Sequence, residues 1–304
     1  MKLFLLAVTS VALSVAITPM LAAQWPDFPS PGVPLLPNGQ PNMEGPAPKT
    51  ADGKPDLSGI WNLARGAGGG GRGQGQGGGR GGGQRGDAAG GAVPAPAPAP
   101  PAPPPAANAG PPLAQFFDLG AAMQGGLPYQ PWAAEVRRTR MADNMKDNPD
   151  AHCLPLGLTQ MHLHPQPRKI IQMPKLIIML YEAQGGVRQI FMDGRPLPNN
   201  DPQPWWYGYS IGHWEGDDLV VETTGFRDDV WLDVNGSPLT STGKMTERMR
   251  RVNFGNLQTD ITIEDPKSYT KPFTVRVNHR IMPNTDLIEF VCQENEKSSQ
   301  YFDK

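Results

Sequence analysis

The sequence predicts a mainly β protein, an antiparallel barrel built from short hairpins and braced by one helix. Three observations carry that expectation. From Arg168 to Gln293 the chain is almost continuous strand signal, in short apolar or alternating runs. Those runs are separated by Gly, Pro, Asn and Asp clusters suited to tight turns. Acids and arginines recur inside the runs, where an ordinary sheet would keep one face apolar, which points to a polar interior.

The elements follow in order. The opening MKLFLLAVTSVALSVAITPMLAAQ has one lysine, an apolar stretch from Leu3 to Ile17 and small residues at Ala22-Ala23, the layout of a secretory signal peptide over 1–23. Its apolar run is shorter than the roughly 20 residues a membrane-spanning helix needs. The expectation is therefore an exported protein, periplasmic or secreted, with no membrane insertion after signal cleavage. Residues 24–49 read as an extended N-terminal segment. In TADGKPDLSGIWNL, a turn at Asp52-Gly53 precedes a short strand at Leu57 to Asn62, which assigns 50–65 to the first strand of the barrel.

Across 66–112 the composition collapses to Gly, Arg, Gln, Ala and Pro, and nothing there can form a core. It reads as a disordered insertion within the folded unit, tolerable because loop-closure cost grows only logarithmically with length. The remainder, 113–304, reads as the β-barrel-like domain. Within it, Pro131 to Asn148 has proline in its first turn and apolar residues on one face, a helix set as a lid or brace. Strands are expected at 168–173, 175–184, 187–193, 207–214, 218–224, 245–254, 257–264, 273–282 and 287–293, about ten with the one near Leu57.

Charge narrows the partners. The chain has 27 basic and 29 acidic residues, and the leader carries only Lys2, so the balance does not advertise nucleic-acid binding. Three arginines in the glycine tract do not alter that. Cys153 and Cys292 are the only cysteines, and in an exported chain a disulfide between them is the default expectation.

Candidate chemistry collects in a few places. Lys175 to Gln184 is apolar on both faces until Glu182, so the strand should be covered on both sides and its terminal carboxylate needs a partner, with Arg188, Arg195 or Arg248 available. Glu222, Glu247 and Glu289 join Glu182 as candidate interior acids, any two of which could work as acid and base. In M-T-E-R-M-R-R-V, Thr246, Arg248 and Arg250 share one face and Glu247 and Arg251 the other. Paired arginines can clamp a carboxylate or phosphate, or neutralise acids nearby. A general acid or base set is thus Glu182, Glu222 and Glu247 with Arg248.

The turn Asp193-Gly194-Arg195 leads into a span crowded with Trp205, Trp206, Tyr207, Tyr209 and Trp214. Aromatic faces beside charged groups suit a sugar ring or another flat polar molecule, although aromatic strands also simply pack cores. Asp193, Arg195, Trp205, Trp206, Tyr209 and Trp214 are therefore the candidate ligand-binding residues. His152, His162 and His164 could bring imidazoles together, but their spacing matches no metal signature, and no metal or cofactor is expected.

The motifs ADGKPDLSGIW, LPYQPW, DGRPLP, HWEGDDLVVETTGF, WLD, TERMRR, DPKSYTKPFTVRV and EFVCQENEK together resemble a large, uncharacterised family of secreted bacterial proteins. The resemblance covers about 50–63 and 127–297 and implies export without implying an activity. The Gly/Pro tract looks like an insertion on that pattern. Gly59-Ile60-Trp61 is similar to the Gly-x-Trp of the first lipocalin strand, whose barrels hold small hydrophobic ligands and in which a late arginine packs on the tryptophan. That similarity implies a calycin- or lipocalin-like barrel with Arg248 or Arg250 against Trp61, though the early helix and larger strand count depart from lipocalins. The function expected is a small-molecule-binding barrel; the alternatives are an acid/base hydrolase, lyase or isomerase acting on a small polar or sugar-like substrate, and a structural envelope protein.

Overall fold

A computed structural model describes residues 28–64, 110–198 and 203–292. The expected signal peptide and almost all of the Gly/Pro insertion lie outside the described residues. Nine strands close into one barrel in chain order: β1 (Gly59–Leu63), β2 (Arg168–Met173), β3 (Leu176–Tyr181), β4 (Val187–Phe191), β5 (Tyr209–Glu215), β6 (Asp218–Thr224), β7 (Lys244–Arg251), β8 (Asn256–Glu264) and β9 (Phe273–Ile281). The fold is the expected one, mainly β and closed, with tight turns at most of the expected punctuation.

Every seam is antiparallel except that between β4 and β5. The connection 192–208 is long enough to return the chain to the starting end, which a tight hairpin cannot do. The resulting parallel seam is short: only Ile190↔Ser210 and Phe191↔Ile211 are in register.

Alternation decides what enters the barrel. Trp61 pairs with Arg168, Arg168 with Tyr181, Met179 with Arg188, Ser210 with Thr223 and Val221 with Glu247, so one pleat face carries all of them inward. Arg251 shares that face with Glu247, whereas Arg248 and Arg250 share the outer one. The arginine that lies over Trp61 is therefore Arg251, 4.9 Å from the ring, and not Arg248 or Arg250. Trp61 is wholly buried and donates its indole N–H to the Leu57 carbonyl.

Two helices are set against the barrel. The bracing helix, α1 (Pro131–Ala142), stops short of Asn148 because Asn144 and Met145 take left-handed φ values of 55° and 54°. It buries only Ala133 and is fastened from its other side chains: Trp132 Nε1 donates to Lys267 O, and Arg140 lies 4.3 Å over Trp231. The second helix, α2 (Leu158–Leu163), carries His162, and all six of its residues are buried. A helix this short carries too few turns to show a period in sequence.

Two further expectations are corrected. The tenth strand at 287–293 does not form over its described part; β9 already pairs with both β8 and β1, so closure leaves no free edge. Instead 282–292 runs as coil, held by Lys169–Asp286 and by the disulfide Cys153–Cys292. Strand β3 is not covered on both sides: Ile177, Met179 and Tyr181 are buried, while Leu176, Ile178 and Leu180 are only half-buried. The disulfide agrees with an oxidising, exported environment. No described helix is long and apolar enough to cross a membrane.

Candidate functional site

The centre of the barrel is charged. Arg188, on β4, enters it because Val187 and Gln189 face out while Arg188 and Ile190 face in. Its guanidinium pairs with both oxygens of Glu247 and donates from Nε to Ser210 Oγ at 3.1 Å and from Nη2 to Thr223 Oγ1 at 3.0 Å. Ser210 and Thr223 lie 2.9 Å apart. The α2 helix delivers the next member: His162 Nε2 sits 2.7 Å from Glu247 Oε1, at ion-pair distance though off the line of a well-formed N–H hydrogen bond. Arg188, Glu247 and His162 are all essentially inaccessible.

Burial alone would raise the Glu247 carboxyl, but Arg188 and His162 outweigh it and hold it well below the usual carboxylate range. For Arg188 the same balance runs the other way: burial lowers it, and Glu247 more than restores it. Burial keeps His162 below its ordinary value despite Glu247. The result is a carboxylate–guanidinium pair beside a neutral imidazole, enclosed in low dielectric.

Outside this centre, a cavity lies at the parallel seam. A cavity of about 310 Å³ lies between β4 and the 205–210 segment, lined by Val187, Phe191, Trp205, Trp206, Tyr207 and Tyr209, with Arg188 and Ser210 also in its wall. Phe191 stacks on Tyr209 at 5.2 Å, and Trp205 tilts against Tyr209 at 5.5 Å. Arg195 lies 3.8 Å over Phe191, donates to Tyr209 Oη at 3.0 Å and is held by Asp193, so the Asp193-Gly194-Arg195 turn borders the cavity. Arg227 lies over Trp206 at 4.4 Å.

The structure thus brings together Asp193, Arg195, Trp205, Trp206 and Tyr209. It places Trp214 elsewhere, in a separate cavity of about 310 Å³ with Gln172, Ile177 and Met192. The four charged candidates do not converge either. Glu247 is interior, but Glu222 faces outward to Lys244, Arg248 is a surface residue bound to Glu215 and Asp218, and Glu182 sits at the end of β3 accepting the Ile288 N–H. Glu289 is exposed in the terminal coil. Strand parity explains the separation: Glu222 and Arg248 lie on the pleat face opposite Val221 and Glu247.

Arg188, Ser210, Thr223 and His162 carry the centre without having been singled out for it. Arg188 was legible in V-R-Q-I-F, where an inward Ile190 demands an inward Arg188. His162 was not, because only the tertiary fold sets α2 over Glu247. The histidines do not assemble a metal site: His152 is exposed and bonds Lys146 O, His164 packs on Phe116, and no group of three metal-binding side chains occurs among the described residues. Comparison with models of known families, with curated proteins and with solved structures gives no match.

Proposed function

We propose that the protein is an exported small-molecule-binding barrel whose ligand enters the β4–β5 seam. The observation that carries this reading is the aromatic cavity at the one parallel junction of the barrel, with Arg188 and Ser210 in its wall. Its volume falls at the lower end of ordinary ligand pockets, enough for a sugar ring or a single flat polar ring system. Aromatic walls supply contact area and the seam supplies polar groups that fix orientation. An acid/base enzyme finds less support, since Glu247, the carboxylate at the barrel centre, is kept ionised by Arg188 and none of the other candidate acids meets it. Export to the periplasm or beyond is supported by the leader pattern together with the disulfide.

Native mass spectrometry of protein recovered from the periplasm tests both parts. The expected result is a chain beginning near Gln24 that carries a co-purified small molecule, and loss of that mass in Trp205→Ala. Trp205 is 40% exposed, so its truncation leaves the core intact. Equal retention of the adduct in wild type and Trp205→Ala would refute the seam as the site.

A further inference from the structure

A second interior arginine is left in a different condition from Arg188. Arg168, on β2, is about 1% exposed and faces the barrel interior opposite Tyr181. Its Nη1 donates to the His162 carbonyl at 3.0 Å and lies 3.4 Å from His162 Nδ1. Its Nε and Nη2 are buried and have no hydrogen-bond partner. No described carboxylate lies within ion-pair distance of it.

Nε and Nη2 form the side edge of a guanidinium, two parallel donors spaced to meet the two oxygens of a carboxylate. This chain uses that edge repeatedly in just that way. Arg138 closes it on Glu135, Arg195 on Asp193, Arg227 on Asp229, Arg250 on Asp218 and Arg276 on Asp260. Arg251, the other inward arginine without a carboxylate, fills the same edge with the Phe254 carbonyl. Among the described residues only Arg168 keeps both atoms of the edge open while buried.

Charge points the same way. The inward face of the strands carries three guanidinium groups, Arg168, Arg188 and Arg251, and one carboxylate, Glu247, already satisfied by Arg188. Burial draws Arg168 down to about 10, which leaves it charged at neutral pH. Burial also disfavours the charged forms of His162 and His279. The inward face therefore carries positive charge in excess, and of the two arginines without a carboxylate only Arg168 lacks a substitute for it on Nε and Nη2, a condition that is expensive in an apolar enclosure unless an anion meets it. His279 donates to the same His162 carbonyl as Arg168, and its Nδ1 is likewise buried and open.

We propose that Arg168 is the anchor of an internal anion site that takes a small carboxylate, of formate to acetate size, on its Nε and Nη2. The site is distinct from the seam pocket: none of the residues lining that cavity contacts Arg168 through a hydrogen bond.

The test uses the whole protein and formate as the probe. Thermal unfolding in sodium formate, at ionic strength matched with sodium sulfate, should show a saturable rise in Tm, about 5–10 °C at a hundredfold excess over Kd. Arg168→Lys, which keeps the charge and loses the fork, should weaken the formate response at least tenfold, and Arg168→Gln should abolish it. Trp205→Ala should leave it unchanged, which separates this site from the seam. If neither Arg168 variant folds, crystals of wild type grown in formate decide the matter. A planar two-oxygen density about 3 Å from Nε and Nη2 supports the proposal. Water alone there, a halide taken in preference to formate, or a Tm indifferent to formate would overturn it.

Discussion

Glu247 and Arg188 make each other's burial tolerable. Either one alone would be an uncompensated charge inside the barrel, and removing one partner of such a pair typically costs about 3–5 kcal/mol. Glu247→Gln is accordingly expected to lose about that much stability in urea unfolding, whereas the double change Glu247→Leu with Arg188→Met should lose clearly less than the sum of the single changes. The buried imidazoles set a pH dependence. His162 and His279 are both held below their ordinary value of 6.5, primarily by burial, so the unfolded chain binds protons that the folded chain does not. Their contribution to stability is complete above about pH 6.5 and is lost as pH falls below it, at about 1.4 kcal/mol per pH unit for each proton taken up only on unfolding. Glu247 acts at lower pH: held down by Arg188, it contributes above the ordinary carboxylate range and weakens the fold as acid protonates it. Tm should therefore decline between pH 7 and 5, and His279→Gln, which retains a donor for the His162 carbonyl, should show roughly half the slope. A flat Tm over that interval would mean that the histidines titrate in the folded state.

At the scale of the element, the least expected piece is α2, and it does the most to build the centre. Its entry is fixed by Gly157, where a Cβ would fall 2.2 Å from the Trp231 carbonyl oxygen. The helix is then tied to the same segment, with Thr159 Oγ1 donating to Leu232 O and Gln160 Nε2 to Trp231 O. Gly157→Ala cannot be relieved by moving a flexible side chain, because the obstacle is backbone. The expected loss is at least the 1–3 kcal/mol typical of overpacking, read as a lower Tm. Strands, by contrast, were largely legible. Hairpin punctuation and apolar runs located β1 to β9 to within a few residues, because each strand's pattern is local. The tenth strand failed for a non-local reason, since closure between β1 and β9 removed the edge it needed.

At the scale of the whole molecule, the Cys153–Cys292 bond spans 139 residues and pins the coil that follows β9 against the segment leading into α2. Chain-entropy arguments put such a long closure at roughly 2–5 kcal/mol. Cys153→Ser with Cys292→Ser should lower Tm, and added reductant should lower that of wild type to a similar value while leaving the variant unchanged. The same coil covers the end of β3, where Glu182 accepts the Ile288 N–H. Loosening it is therefore expected to expose Glu182 first, visible as faster hydrogen exchange at Ile288.

The sequence by itself determined the class of fold, the disulfide partners and the aromatic cluster around Trp205, because turn chemistry, cysteine number and local composition are properties of neighbouring residues. It also contained the inward placement of Glu247 and Arg251, since both follow from alternation along one strand. Tertiary structure alone decided which charges meet. Glu247 finds Arg188 from β4 and His162 from α2, 59 and 85 positions away, while Glu222 and Arg248 turn to solvent one residue out of phase. A pleat has a period of two, so a single step along a strand separates a buried charge from a surface one. Which buried charge then goes without a carboxylate, as Arg168 does, depends on closure of the barrel, which no local pattern records.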